Sequence, residues 1–257
     1  MSNLKSETIY VNINGLKCDT FITRPSDIQS PLPIIVFCMD MFGLRPNLYK
    51  IAERIAEHGF FVVLPNIFYR NISEPIVTSL ENVDALCGAL CAARGVAAKC
   101  SIVEFLSDMK SVLEYVSTHY GDVTQKDNVG LLGLCFGGAF AMRLANEYPE
   151  IIKSCASVHA GQLVTDTPES PHKLINNIKA VCYFAHADQD QWMTLEDISV
   201  LNKALDDANI NYESEVYAGC AHGWNIEDFF MFNREGHEKT MAKLFDFYSK
   251  TLKKATQ

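Results

Sequence analysis

The sequence predicts an α/β protein, with a mostly parallel twisted sheet of about eight strands and helices on both faces. Three observations carry that expectation. Short apolar, β-branched runs alternate with helical periodicity over the later three-quarters of the chain, the pattern of strands joined by crossover helices. Several of these runs are continuously apolar, as strands buried on both faces are. Glycine and proline stand where several of the runs and helices stop.

Thr8 to Ile13 and Asp19 to Thr23 read as two strands around Asn14-Gly15, a strong hairpin signal. Leu32 to Met39 reads as a buried strand. Leu48, Ile51, Ala52, Ile55 and Ala56 follow helical spacing, and Gly59 ends that helix. Phe60 to Leu64 is the next strand, stopped by Pro65. The stretch 70–100 reads as an irregular excursion rich in small residues. A segment of that length in a compact domain is usually functional or covers something, and a lid is one role open to it. Ile102, Phe105, Leu106, Met109, Val112, Leu113 and Val116 restore a helix. Strands Asn128 to Leu134, Ser154 to His159, Ala180 to Ala185 and Glu213 to Tyr217 follow. Helices are expected from Phe136 to Tyr148, from Glu196 to Ala208, and through Met241, Leu244, Phe245, Tyr248 and Leu252. Thr194 and Asp197 read as a capping box. In such a sheet the chemistry lies beyond the carboxyl ends of the strands.

One domain, 1–257, is expected. A chain that is 48% hydrophobic and 21% charged excludes disorder for most of its length. Its 31 acidic against 22 basic residues, a net charge of -9, argue against nucleic acid or an anionic membrane as partner. The nine cysteines are irregularly spaced and contain no CxxC pair, so neither a zinc ribbon nor a thioredoxin-type site is expected. The opening MSNLKSETIY lacks a basic head followed by an apolar stretch. The uncharged run Val129 to Met142 is too short and too glycine-rich to span a bilayer. The expectation is a reduced, cytoplasmic protein acting on a small molecule, as monomer or homodimer, with neither nucleic acid nor membrane as partner.

The strongest chemical signal is Gly133-Leu134-Cys135-Phe136-Gly137-Gly138, which follows a buried strand and opens a helix. This is the nucleophile-elbow pattern with Cys in place of Ser. Small residues are needed on both sides because the turn is tight. The helix N-terminus stabilises a thiolate, and the Phe136 N–H points at a developing oxyanion. A base must come later in the chain. His222, in the loop after the last strand, is the candidate, ahead of His58, His119, His172, His186 and His237. Asp188 and Asp190 both follow the Ala180 strand, and placement before the Thr194 helix favours Asp190 as the acid. The HxDxD spelling there could also serve a metal, but it lacks further ligands. The loop Cys38 to Leu44 should supply a second oxyanion donor, the Met41 N–H. Asp40 beside it is either a charge near the thiol or a loop carboxylate.

With these residues in order, the chain resembles the dienelactone hydrolase family of α/β hydrolases. The likeness is carried by Met39-Asp40-Met41-Phe42-Gly43-Leu44, by Gly59 through Phe68, by the cysteine elbow, by Asp190, and by Tyr217 with Gly219 to Gly223. It implies an α/β-hydrolase fold and a Cys135–His222–Asp190 triad. It implies a carboxylic ester hydrolase that opens a small lactone or ester, as carboxymethylenebutenolidases do, through a thioester, with no cofactor and no metal. It also implies an acidic residue close to the nucleophile in the first loop, where Asp40 stands for the family's usual Glu. Family members that act on dienelactone hold its carboxylate with arginines, one of them shortly after the histidine. Here Gly-Trp-Asn-Ile-Glu-Asp follows His222, and Arg94 is the candidate anion clamp. Phe42, Tyr69, Phe136 and Trp224 suggest an aromatic pocket, with His159 at a strand end beside it. Two alternatives stay open. One is a general carboxylesterase or thioesterase of the same fold. The other is a redox-responsive protein in which Cys135 is oxidised rather than acylated.

Overall fold

The apolar runs become the strands β1 (Leu4–Ile13), β2 (Leu16–Pro25), β3 (Leu32–Cys38), β4 (Phe61–Pro65), β5 (Thr124–Leu134), β6 (Ile152–Val158), β7 (Val181–Gln189) and β8 (Tyr212–Ala221). The helices are α1 (Pro46–Glu57), α2 (Val83–Ala97), α3 (Ile102–Tyr120), α4 (Phe136–Glu147), α5 (Leu195–Asp207) and α6 (Arg234–Leu252). These elements come from a computed structural model that describes residues 3–72, 76, 80 and 82–253. The strands form one sheet in the order β1-β2-β4-β3-β5-β6-β7-β8. The β1–β2 and β2–β4 pairs are antiparallel and the rest are parallel.

Strand order explains where a site can form. The chain passes from β3 to β4 on one side and later enters β5 on the other side of β3. The order therefore reverses between β3 and β5, leaving a crevice beyond their carboxyl ends. Cys38 and Gly133 are partners across that pair, so the residues that follow them emerge side by side. Phe37, Phe60, Phe61, Phe184 and Tyr248 are wholly buried around the sheet. The Tyr248 hydroxyl donates to the Leu131 carbonyl at 2.8 Å, so its burial leaves no orphan donor.

Several strands run longer than their apolar signal. The β1–β2 ladder extends from Leu4↔Pro25 to Ile13↔Leu16 because its outer residues are polar and exposed but still hydrogen-bonded. The first residues of β5, Thr124 to Asn128, are polar for the same reason. The capping box at α5 is present: Thr194 Oγ1 accepts from the Asp197 N–H at 3.2 Å, and Asp197 accepts from the Thr194 N–H at 2.9 Å.

The excursion 70–100 is corrected in part. Residues 83–97 form helix α2, with Asn82 as N-cap accepting from the Ala85 N–H at 2.9 Å. Its Ala, Cys and Gly residues spread apolar character around the whole helix, so no amphipathic period announces it, although alanine favours helix intrinsically. Residues 73–75, 77–79 and 81 of that excursion lie outside the described residues. Among the described residues, no single helix is long and apolar enough to cross a membrane.

The β5–α4 turn has no room for a side chain at Gly137. A Cβ there would lie 2.2 Å from the Cys38 carbonyl oxygen and 2.5 Å from that of Met39. Backbone cannot yield as a flexible side chain can. Gly137→Ala is expected to destabilise the fold by about 3 kcal/mol or more, read by denaturant unfolding. Gly95→Ala on α2, where a Cβ would meet nothing within 4 Å, should instead be neutral or stabilising.

Candidate active site

Cys135 occupies the turn between β5 and α4 with φ 52° and ψ -118°. A non-glycine residue held at positive φ is strained, and here the surroundings fix it. Its N–H donates to the Val158 carbonyl at 3.1 Å. Gly133 lets the chain fold back on itself, since a Cβ there would lie 2.3 Å from the Gly137 carbonyl oxygen. The sulfur is thereby left half-exposed beyond the end of β5.

Two further elements converge on it. The loop after β8 brings His222, whose Nε2 lies 3.1 Å from Cys135 Sγ. The end of β7 brings Asp190, whose Oδ2 lies 2.7 Å from His222 Nδ1. The other Asp190 oxygen accepts from the Trp192 N–H at 2.8 Å, which locks the carboxylate. Asp188 points elsewhere and accepts from the Gly219 N–H at 2.9 Å. Asp190 is thus the member of the pair that meets the imidazole.

Burial pushes the His222 pKa down, but Cys135 and the Asp190 carboxylate, both hydrogen-bonded to the ring, outweigh burial. Its pKa stands at about 10, against an ordinary 6.5. Because the folded value lies above the unfolded one, the linked stability is fully present below pH 6.5. It is lost as the pH rises toward about 10. Urea unfolding across that window should record the loss. Cys135→Ala removes the leading favourable partner, so it should lower the His222 pKa in a proton NMR titration and flatten the stability loss.

Phe136 and Met41 both line the crevice. Phe136 is the first residue of α4, so its N–H has no intrahelical acceptor. Among the described residues, neither it nor the Met41 N–H donates to another protein group. The cavity over Cys135 has a volume of about 820 Å³ and is lined in part by Met41, Phe42, Arg94, Phe136 and His222. Leu86 and Leu90 of α2 also line it, as do Gln162, Trp192 and Phe229, none of which the sequence pattern singles out. The Arg94 guanidinium lies 5.4 Å from the centre of the Trp192 ring.

Four expected lining residues are elsewhere. Asp40 is buried and does not line the cavity. Its Oδ1 and Oδ2 accept from Arg45 Nη1 and Nη2 at 2.8 and 2.7 Å, and Oδ1 also accepts from the Phe42 N–H at 2.9 Å. The guanidinium, invisible as a partner in the sequence, claims both oxygens. Trp224 is wholly buried and its Nε1–H donates to Thr240 Oγ1 at 3.1 Å. The Tyr69 hydroxyl donates to Asp108 at 2.9 Å, away from the cavity. His159 is wholly buried, its ring 5.5 Å from that of His222 and 5.3 Å from that of Trp224. Burial, then the nearby His222, hold it well below its ordinary pKa and so neutral. It backs the imidazole rather than lining the cavity. Among the described residues, no group of three or more His, Cys, Asp or Glu side chains is placed to hold a metal ion.

A sheet of this order, with a residue at positive φ between its central strand and the following helix, defines an α/β hydrolase. The dienelactone hydrolase family model matches residues 18–252, and the chain belongs to that family. It is a hydrolase acting on ester or lactone bonds. Over 217 residues it is 24% identical to the "Putative carboxymethylenebutenolidase" of Escherichia coli (strain K12), covering 83% of this chain and 75% of that one. The protein of the same name from Synechocystis sp. (strain ATCC 27184 / PCC 6803 / Kazusa) is 22% identical over 256 residues, covering 98% and 99%. Among solved structures, the "Putative Dienelactone Hydrolase" of Klebsiella pneumoniae subsp. pneumoniae MGH 78578 superposes with a TM-score of 0.84 at 16% identity, covering 96% and 99%.

Proposed function

We propose that this hydrolase opens lactones or esters through a Cys135–His222–Asp190 triad and a thioester acyl-enzyme. The observation that carries the reading is the continuous hydrogen-bonded chain from Cys135 Sγ through His222 to Asp190, anchored at a strained elbow. The Cys135 thiolate attacks the carbonyl carbon, and the carbonyl electron pair moves to oxygen. The Met41 and Phe136 N–H groups receive that oxyanion, each contributing about 3 kcal/mol. The tetrahedral intermediate collapses, the C–O bond breaks, and His222 gives its proton to the leaving oxygen. Water then enters, His222 takes one of its protons, and hydroxide attacks the thioester. The acid leaves and the thiolate is restored. Asp190 holds the imidazole in one orientation and stabilises its charged form throughout.

Iodoacetamide is expected to inactivate the enzyme and to modify Cys135 first among the nine cysteines, followed by peptide mass mapping. Cys87 and Cys91, exposed on α2, are internal references of unrestricted access. If they react before Cys135, the thiol is not activated and the triad reading fails.

A further inference from the structure

Resting on the reading of Cys135 as nucleophile, we infer that the cavity takes an uncharged ester or lactone with a medium-length hydrophobic acyl chain. A single small lactone ring would leave most of it unfilled. Its volume of about 820 Å³ lies within the ~300–1,000 Å³ of cavities that enclose drug-sized ligands.

The walls say what kind of group fills it. Helix α2 packs on the body of the protein through Ala89 and Ala93, which are buried. Leu86 and Leu90 pack against the core only in part. They stay half-exposed and line the cavity. Across from them α4 presents Phe136 and Ala139, also half-exposed. The Phe136 ring is fixed there by Phe140, with centroids 4.5 Å apart. Two helices therefore border one cavity with apolar side chains, and Phe136 directly follows the nucleophile. Uncovered apolar surface beside a nucleophile is costly in water and becomes favourable when an apolar group covers it.

Charge points the same way. Among the described lining residues, the only arginine or lysine is Arg94 and the only carboxylate is Glu169. One offsets the other, so the lining offers little net attraction for an anionic substrate. Gln162, Gln189 and Gln191 supply neutral hydrogen-bonding groups for the oxygen-bearing end.

The test is kcat/KM for p-nitrophenyl acetate, butyrate and octanoate, measured with wild-type enzyme and with Cys135→Ala. Each added methylene buried between the helices should raise kcat/KM about threefold. The octanoate-to-acetate ratio should then reach at least about a hundred. Leu90→Asp should cut that ratio at least about tenfold, because it sets a charge in the apolar wall. Ala139→Phe, which narrows the cavity from the other side, should cut it as well, with the melting temperature of each variant confirming a folded enzyme. A flat or falling series with Cys135-dependent turnover of acetate overturns the inference and leaves the nucleophile reading intact. Turnover absent for every ester, or unchanged in Cys135→Ala, overturns both.

Discussion

Cys135→Ala is expected to lower kcat for p-nitrophenyl acetate by at least about 10⁴-fold while leaving the fold intact. It should do the same for any lactone the wild-type enzyme opens, a dienelactone included. The magnitude follows from the arrangement. In the proposed mechanism no acyl-enzyme can form without the sulfur, so only the proposed oxyanion donors and simple substrate binding remain to accelerate attack by water. Stability below about pH 10 should fall somewhat, because the partner that raises the His222 pKa is lost, while the half-exposed side chain gives up little packing and alanine keeps the strain of a Cβ at φ 52°. Cys135→Gly should be more stable than Cys135→Ala, since glycine accepts that conformation without the Cβ penalty. Cys135→Ser keeps an oxygen in place of sulfur but offers His222 a far weaker acid, so turnover should remain well below wild type. Asp190→Asn should cost about 10⁴-fold by leaving the imidazole in the wrong tautomer. Steady-state rates with matched melting curves separate these effects. A Cys135→Ala enzyme with substantial ester turnover would show that another group carries the chemistry.

Much of this site was legible in the sequence because its chemistry depends on local spelling. Gly133, Cys135 and Gly137 can be read as an elbow without coordinates, since their spacing is dictated by one tight turn. His222 and Asp190 follow from the chain order that the fold requires. What stayed hidden depends on pairs distant in sequence. Nothing in Asp40 announces that Arg45 will take both its oxygens, or that the same guanidinium will reach Asp228, 183 positions away. Trp224 lies two residues from His222 yet turns into the core to meet Thr240, because its indole N–H needs a buried acceptor. Helix α2 was hidden for a different reason. Its small residues carry helix propensity without an amphipathic stripe, and the period that reveals α1 and α3 is missing. The fold was thus readable where burial imposes a pattern, and α2 was not, because the residues it buries, Ala89 and Ala93, are too small to mark an apolar stripe.

Arg45→Met is expected to destabilise the protein by about 3–5 kcal/mol and to reduce kcat with it. Arg45 is 4% exposed and Asp40 is 1% exposed, so this is a buried ion pair. Its guanidinium also holds Asp228 at 2.6 Å through Nε and the Gly43 carbonyl at 3.2 Å through Nη1. Removing it leaves a carboxylate buried without its counter-charge, which costs far more than the pair itself contributes. The effect on rate follows from what the arginine ties together. Asp40 and Gly43 bracket Met41 and Phe42 in the loop that offers the Met41 N–H, while Asp228 belongs to the segment that follows His222. One side chain thus fixes the loop after β3, the proposed source of an oxyanion donor, against the segment after His222. Arg45→Lys should rescue little, since an ammonium cannot make the fork of parallel bonds that meets both Asp40 oxygens. The decisive comparison is Asp40→Asn with Arg45→Met. The amide still accepts from the Phe42 N–H but carries no charge, so the double variant should be more stable than Arg45→Met alone. Urea unfolding of the two single variants and the double gives the coupling directly. Additive losses would mean that Arg45 acts by packing, and its role in aligning the two loops would have to be given up.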